Sequence, residues 1–132
     1  FGLGIELLHL VSPDLYKETK YLDPIEITQD ISRDLKEKEA CDLIICLSHL
    51  GYHYKNSDKI SDLKLAAATK DIDLIIGGHT HTFLTKPTLV KNLTNENVLV
   101  NQVGAYGLNL GRVDFYFNEQ NEKQTSDKNI II

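Results

Sequence analysis

Residues 42–47 read Asp-Leu-Ile-Ile-Cys-Leu, and residues 73–78 read Asp-Leu-Ile-Ile-Gly-Gly. In each stretch one acidic residue precedes a continuous apolar run, with no alternation of apolar and polar residues. Such runs are typical of strands in a parallel sheet that is covered on both faces. Residues 58–69, which lie between them, have apolar residues at helical spacing, with Asp58 or Ser61 as the helix cap. The two stretches therefore predict parallel strands that are joined through a helix.

The residues before this unit predict one more strand and one more helix. Residues 1–8 have the composition of a strand. Asp23 is followed by Pro24 and, three residues on, by Glu26, which is the pattern of a capped helix start. Apolar residues at helical spacing extend this helix to about residue 39.

The residues after this unit predict antiparallel structure. Residues 88–91 and 97–103 flank a polar turn, which is a hairpin signal. Residues 110–117 alternate between apolar and polar, residues 118–128 have the composition of a loop, and residues 130–132 resemble the start of a further strand. The sequence thus predicts one α/β folding unit, βαβαβ followed by an antiparallel meander.

Composition excludes several classes of protein. The chain has 132 residues, of which 42% are hydrophobic and 25% charged, and this is ordinary globular usage. A net charge of −5 disfavours nucleic-acid binding, and no apolar run approaches the ~18 residues of a membrane span. Cys41 and Cys46 lack the spacing of a zinc or redox motif, and Cys46 is expected to be a buried apolar residue. Because the chain begins at Phe1 and has no Met, we expect an interior fragment, and its compartment stays open.

Histidines follow both apolar strands. His49 comes after residues 42–47 and His79 after residues 73–76. Parallel strands end at one edge of a sheet and lie about 4.8 Å apart, so imidazoles on these loops can reach one metal ion or two adjacent ones. From spacing alone, an ordinary polar residue is the favoured interpretation, above all for His49. His81 belongs to the same loop, where Gly77 and Gly78 would permit a sharp turn and a close approach. A plain turn after a strand is the alternative for this loop.

Other polar and aromatic residues are expected to be ordinary. His9 and His53 are expected to be surface or capping residues. Asn101 and Gln102 either line the same cleft or form a solvated strand end, and the second interpretation is favoured. The tyrosines are expected to cover loop edges rather than to stack on a base; they are Tyr52, Tyr54 and Tyr106.

Two motifs in this order resemble a known family. Ser48-His49-Leu50-Gly51 and, at residues 77–83, Gly-Gly-His-Thr-His-Thr-Phe are similar to the C-terminal half of a calcineurin-like metallophosphoesterase of the 5′-nucleotidase branch. Residues 100–104 and 110–113 fit that branch too, so the resemblance covers essentially residues 1–132. It implies part of a four-layer αββα sandwich that binds two divalent metal ions, of the zinc, manganese or iron type. It also implies that His49 and His79 ligate the second metal and that His81 completes the first.

The same resemblance implies hydrolysis of phosphomonoesters, in particular nucleoside 5′-phosphates, by the parent protein. The remaining ligand motifs of the family, Asp-x-His, Gly-Asp and Gly-Asn-His, do not occur in this sequence, so no catalytic residue is assigned here. We therefore expect residues 1–132 to be the C-terminal portion of the domain and to be inactive alone. Relatives are often exported, but the start of this chain resembles no signal peptide.

The incomplete sandwich is expected to leave an apolar sheet face, which the missing N-terminal half or a second copy of the chain would bury. Two other interpretations stay open. One is a non-catalytic, flavodoxin-like module that holds an anion at its strand-end loops, and the other is a structural fragment with unfilled sites. Metal binding discriminates among them.

Overall fold

The computed structural model describes residues 1–8 and 10–131, so the expectation for His9 lies outside the described residues. The elements follow in chain order as β1 (Gly2–Leu3), α1 (Pro13–Tyr16), α2 (Pro24–Glu37), β2 (Ile45–Ser48), α3 (Asp62–Ala68), β3 (Leu74–Ile76), β4 (Thr88–Lys91), β5 (Asn97–Asn101), β6 (Asn109–Phe117) and β7 (Lys123–Ile131). Within these ranges, none of the helices has the length and apolar character needed to span a membrane.

The strands form two sheets. The first has five strands in the order β1-β2-β3-β5-β4, with β1, β2, β3 and β5 parallel and β4 antiparallel to β5. The second is the antiparallel hairpin β6–β7. The α/β class is confirmed, and so is the hairpin of residues 88–103. The antiparallel strands do not form one continuous meander, however, because β6, which follows the turn at residues 104–107, pairs with β7 in a separate sheet.

Both long helices begin at the caps that the sequence indicated. The Asp23 carboxylate accepts hydrogen bonds from the backbone N–H groups of Ile25 at 2.8 Å and Glu26 at 3.0 Å, which satisfies the free donors at the start of α2. The Ser61 hydroxyl accepts from the N–H of Lys64 at 3.4 Å at the start of α3. Of the two caps considered for α3, Ser61 is therefore the one used, and the helix begins later than expected.

One face of the first sheet forms the core with the helices. Cys46, Ile75 and Val100 lie side by side in register and are fully buried. They belong to one apolar cluster with Leu65 and Ala66 of α3. Cys46 thus acts as the small buried residue that was predicted, and burial raises the pKa of its thiol to about 12.

The opposite face of the sheet meets the hairpin. Lys123 of β7 forms an ion pair with Asp73 at the start of β3. At the other end, the side-chain amides of Asn129 and Asn101 donate to each other, at 2.8 and 3.0 Å. The hairpin therefore crosses the sheet from the beginning of its strands to their carboxyl ends.

The hairpin covers this face only in part. Leu47, Ile76 and Leu89 remain 58%, 46% and 61% exposed, although each is a large apolar side chain. The expected incompletely covered apolar face is therefore present. The expectation that both apolar runs are buried on both faces is wrong at the carboxyl ends of β2 and β3, where Leu47 and Ile76 are exposed.

Two boundaries also differ from expectation. β1 spans only Gly2–Leu3, because pairing with β2 ends there. Residues 123–128 form most of β7 and not a loop. Their polar composition does not indicate a strand. They form one because they pair with β6, which precedes them in the chain.

Candidate metal centre

Two of the three candidate histidines lie side by side. His49 follows β2 and His79 follows the end of β3, and these neighbouring strands are parallel. The two imidazole centroids lie 5.3 Å apart, with 66° between the ring planes. The N–H of His49 donates to the carbonyl of Leu3 at 2.9 Å, so β1 fixes the backbone at that strand end. The parallel topology thus delivers the two rings to one edge of the sheet.

The third candidate lies on the same loop but faces a different neighbour. The ring of His81 packs edge-on against Tyr106, with 5.9 Å between the centroids. Among the residues that the structure describes, no three His, Cys, Asp or Glu side chains come together as a metal-binding group. The described chain therefore brings two imidazoles into one place and leaves His81 against Tyr106.

The surroundings favour the neutral form of His79. Burial lowers the pKa of its imidazole, and the nearby His49, Lys59 and His81 lower this pKa further. A neutral imidazole has a free lone pair and is the form that ligates metals. Together the two rings fit part of a site for a transition metal, since imidazole suits zinc, iron and similar ions.

The glycines of the loop provide space. Gly77 and Gly78 are absent from the residues with positive φ, whereas His79 and His81 have φ values of 67° and 51°. A Cβ on Gly77 would overlap the Asp62 carboxylate, and one on Gly78 would lie 3.0 Å from Nδ1 of His49. Other groups thus approach the glycines closely, but the positive φ values of the loop are not at the glycines. The histidines themselves adopt the left-handed backbone.

Sequence reasoning missed Asp62, which supports the His49 loop from beneath. Its side chain is fully buried and accepts a hydrogen bond from the Ser48 hydroxyl at 2.5 Å. The N–H of Leu50 in turn donates to the Ser48 hydroxyl at 3.1 Å, so both neighbours of His49 in the chain are fixed. Burial raises the pKa of Asp62 to about 6, although the Ser48 hydrogen bond opposes this. The only sequence signal was an acid directly after a helix cap.

Gln102 supports the other loop. Asn101 and Gln102 are both buried, so the favoured expectation of a solvated strand end is wrong. The Gln102 amide donates to the carbonyl of Gly78 at 2.5 Å and accepts from the Thr80 hydroxyl at 3.0 Å and from the N–H of Thr82. Its side chain therefore touches the loop on both sides of His79.

The remaining aromatic residues behave mostly as expected. The Tyr52 hydroxyl pairs with that of Thr88 at 2.8 Å, and the Tyr54 hydroxyl donates to the carbonyl of Leu50 at 2.7 Å. Both rings thus cover loop edges. Tyr106 covers little, since it is 88% exposed.

Comparison with known proteins connects this arrangement to a family. The chain is 39% identical, over 116 residues and 88% of its length, to the trifunctional nucleotide phosphoesterase YfkN of Bacillus subtilis. The fold is similar to the 5′-nucleotidase precursor of Thermus thermophilus, with a TM-score of 0.71 and 31% identity over 84% of the chain. The chain belongs to the 5′-nucleotidase branch of the metallophosphoesterases.

The NAD nucleotidase of Haemophilus influenzae is another structural neighbour, with a TM-score of 0.72 and 25% identity over 88% of the chain. The mixed sheet and the separate hairpin match these 5′-nucleotidase-like structures. A scan against protein-family models finds no match.

The chain corresponds to only part of these proteins. It spans 7% of the length of the Bacillus protein, and 23% and 24% of the two structures. Activity, substrate and partners of a whole protein therefore belong to the proposal that follows.

Proposed function

We propose that this chain supplies the histidine side of a metal-dependent phosphatase site that hydrolyses nucleotides or related phosphomonoesters. In this proposal His49 and His79 hold one of two divalent metal ions, and His81 contributes to the other. The remaining ligands, and the group that protonates the leaving alcohol, come from chain outside residues 1–132. Residues 1–132 alone are inactive, because they form the C-terminal portion of the domain.

One observation carries this proposal. His49 and His79 occupy the strand-end positions of the motifs that resemble the family, and their rings lie 5.3 Å apart. Support comes also from the names of the relatives, which are nucleotide phosphoesterases, apyrases and 5′-nucleotidases.

The contribution of this chain to the reaction follows from its loops. Metal ions bound at such a site polarise the phosphate and lower the pKa of a bound water. The two imidazoles provide nitrogen ligands at fixed strand ends. Gly77 and Gly78 leave space for the Asp62 carboxylate and for Nδ1 of His49. Buried Asp62 accepts from the Ser48 hydroxyl directly before His49, and buried Gln102 donates to the carbonyl of Gly78 directly before His79.

The experiment compares the full-length protein with its His79→Ala variant. Equilibrium dialysis against Zn²⁺ and against Mn²⁺ measures metal binding, and phosphate release from adenosine 5′-monophosphate measures activity. We expect His79→Ala to weaken metal binding and to lower phosphate release by more than the roughly 10–100-fold that is typical for loss of an outer-shell partner, because a direct ligand is lost.

His53→Ala is the matched control, since His53 lies on the neighbouring loop and is exposed. It is expected to leave both quantities at the wild-type value. Equal metal binding by wild type and His79→Ala would contradict the proposal and favour an anion-binding module.

A further inference from the structure

The loop that carries His79 and His81 has an unfavourable backbone. Both histidines lie in the left-handed region, at φ values of 67° and 51°. Such conformations are unfavourable for residues other than glycine, and they persist only where the surroundings enforce them. Some group outside the loop must therefore hold it in place.

Gln102 is the residue that reaches both sides of this loop. It lies just beyond the end of β5, is only 2% exposed, and is distant from the loop along the chain. Its Nε2 donates to the carbonyl of Gly78, directly before His79. Its Oε1 accepts from the hydroxyl of Thr80 and from the N–H of Thr82, on either side of His81.

These contacts need both a donor and an acceptor from one side chain. The carbonyl of Gly78 needs a donor, whereas the Thr80 hydroxyl and the Thr82 N–H need an acceptor. The side-chain amide of Gln offers both on one planar group, and that of Asn is shorter by one methylene. The network extends further, because the Thr80 hydroxyl also accepts from the N–H of Tyr52 at 2.9 Å. The loop of His79 is thereby tied to the segment that follows His49.

We propose that Gln102 is a positioning residue that sets the imidazoles of His79 and His81 for metal binding. This inference rests on the proposed function for the identity of the ligand. In this proposal Gln102 acts through its hydrogen bonds to residues 78–82 and is not itself a ligand. Groups that orient metal ligands in this way typically change metal affinity about 10–100-fold when removed.

The test uses the full-length protein and its Gln102→Met variant, in which a side chain of similar length makes none of these hydrogen bonds. Zn²⁺ affinity is measured by competition with a chromophoric chelator. Backbone amide exchange at Thr82 is measured in the metal-free protein. We expect Gln102→Met to weaken Zn²⁺ binding about 10–100-fold and to accelerate exchange at Thr82.

Asn101→Ala is the matched control. Asn101 is the neighbouring residue, is also buried, and bonds through its side chain to Asn129 on the opposite face of the sheet. It is expected to lower stability while leaving Zn²⁺ affinity and Thr82 exchange at the wild-type values. Equal losses of affinity in the two variants, or wild-type affinity in Gln102→Met, would overturn the inference.

Thr80→Val provides a milder variant that keeps the shape of the side chain and removes one hydrogen bond to Gln102. Its effect and that of Gln102→Met should be less than additive, because both break the same network. Full additivity would count against the inference.

The failure of this inference can be told apart from the failure of the proposed function. If His79→Ala binds Zn²⁺ as tightly as wild type, the proposed function fails. If exchange at Thr82 is unchanged in Gln102→Met, the claim that Gln102 fixes the backbone of the loop fails.

Discussion

At the scale of single residues, the buried carboxyl of Asp62 makes stability depend on pH. Its folded pKa of about 6 lies above the usual 3.8, so the folded chain binds more protons than the unfolded chain between these values. Stability from this group is therefore present at low pH and is lost as the pH rises through about 6. The difference corresponds to roughly 2–3 kcal/mol.

Asp62→Asn removes this titration while it keeps an oxygen for the Ser48 hydroxyl. We expect the variant to gain stability over the wild type between about pH 4 and pH 7, by roughly 2–3 kcal/mol at the upper end. Urea denaturation of the metal-free chain across this range measures the difference. Asp58→Asn, which removes the same charge at an exposed position, should show no such trend. A stability difference for Asp62→Asn that is independent of pH would refute this prediction.

The sequence predicted where His49 and His79 lie, but it did not predict which residues contact their loops. His49 and His79 follow apolar runs, so strand topology alone predicted that their rings meet. Gln102 and Asp62 contact those loops across gaps of 14 to 24 residues. No local pattern marks such contacts, because they depend on how the strands and α3 pack together.

At the scale of elements, local signals predicted what local interactions determine. The cap at Asp23 and the apolar runs of β2 and β3 are each determined within a few residues. β7 was missed because its residues are polar and its strand conformation comes from pairing with β6. Its polar side chains have structural partners, since Lys123 reaches Asp73 and Asn129 reaches Asn101.

The attachment of the hairpin to the sheet depends on Asn129. Its amide donates to the carbonyl of Leu84 at 2.8 Å and exchanges hydrogen bonds with buried Asn101. Asn129→Ala would leave the Asn101 amide buried without this partner, so we expect a loss of about 1–3 kcal/mol in unfolding free energy. Gln124→Ala, at an exposed position of β7, should change stability by less than about 0.5 kcal/mol.

Hydrogen exchange shows whether Asn129→Ala loosens the hairpin alone or destabilises the whole chain. The amides of β6 and β7 should lose protection more than those of β2 and β3, because the hairpin contacts the first sheet through few anchors. Uniform loss of protection in both sheets would contradict this view of the hairpin as a separately attached element.

At the scale of the whole molecule, the main feature is the exposed apolar face of the first sheet. The family resemblance predicted an incomplete sandwich, and the structure has Leu47, Ile76 and Leu89 exposed beside the hairpin. No pattern within residues 1–132 specifies what would cover this face. Covering this face is favourable, because fully burying one large apolar side chain contributes about 1.5–3 kcal/mol.

We therefore expect residues 1–132 to self-associate when isolated, with a weight-average mass in sedimentation equilibrium that rises with concentration. Leu89 lies on β4, which is an edge strand of the sheet, so Leu89→Lys places a charge on both the apolar face and the unpaired edge. The variant should shift association to higher concentration. Leu15→Lys, which changes another exposed leucine on α1, should associate like the wild type. A wild-type chain that remains monomeric at all concentrations would show that the exposed face is tolerated in water, and the case for a covering partner would then fail.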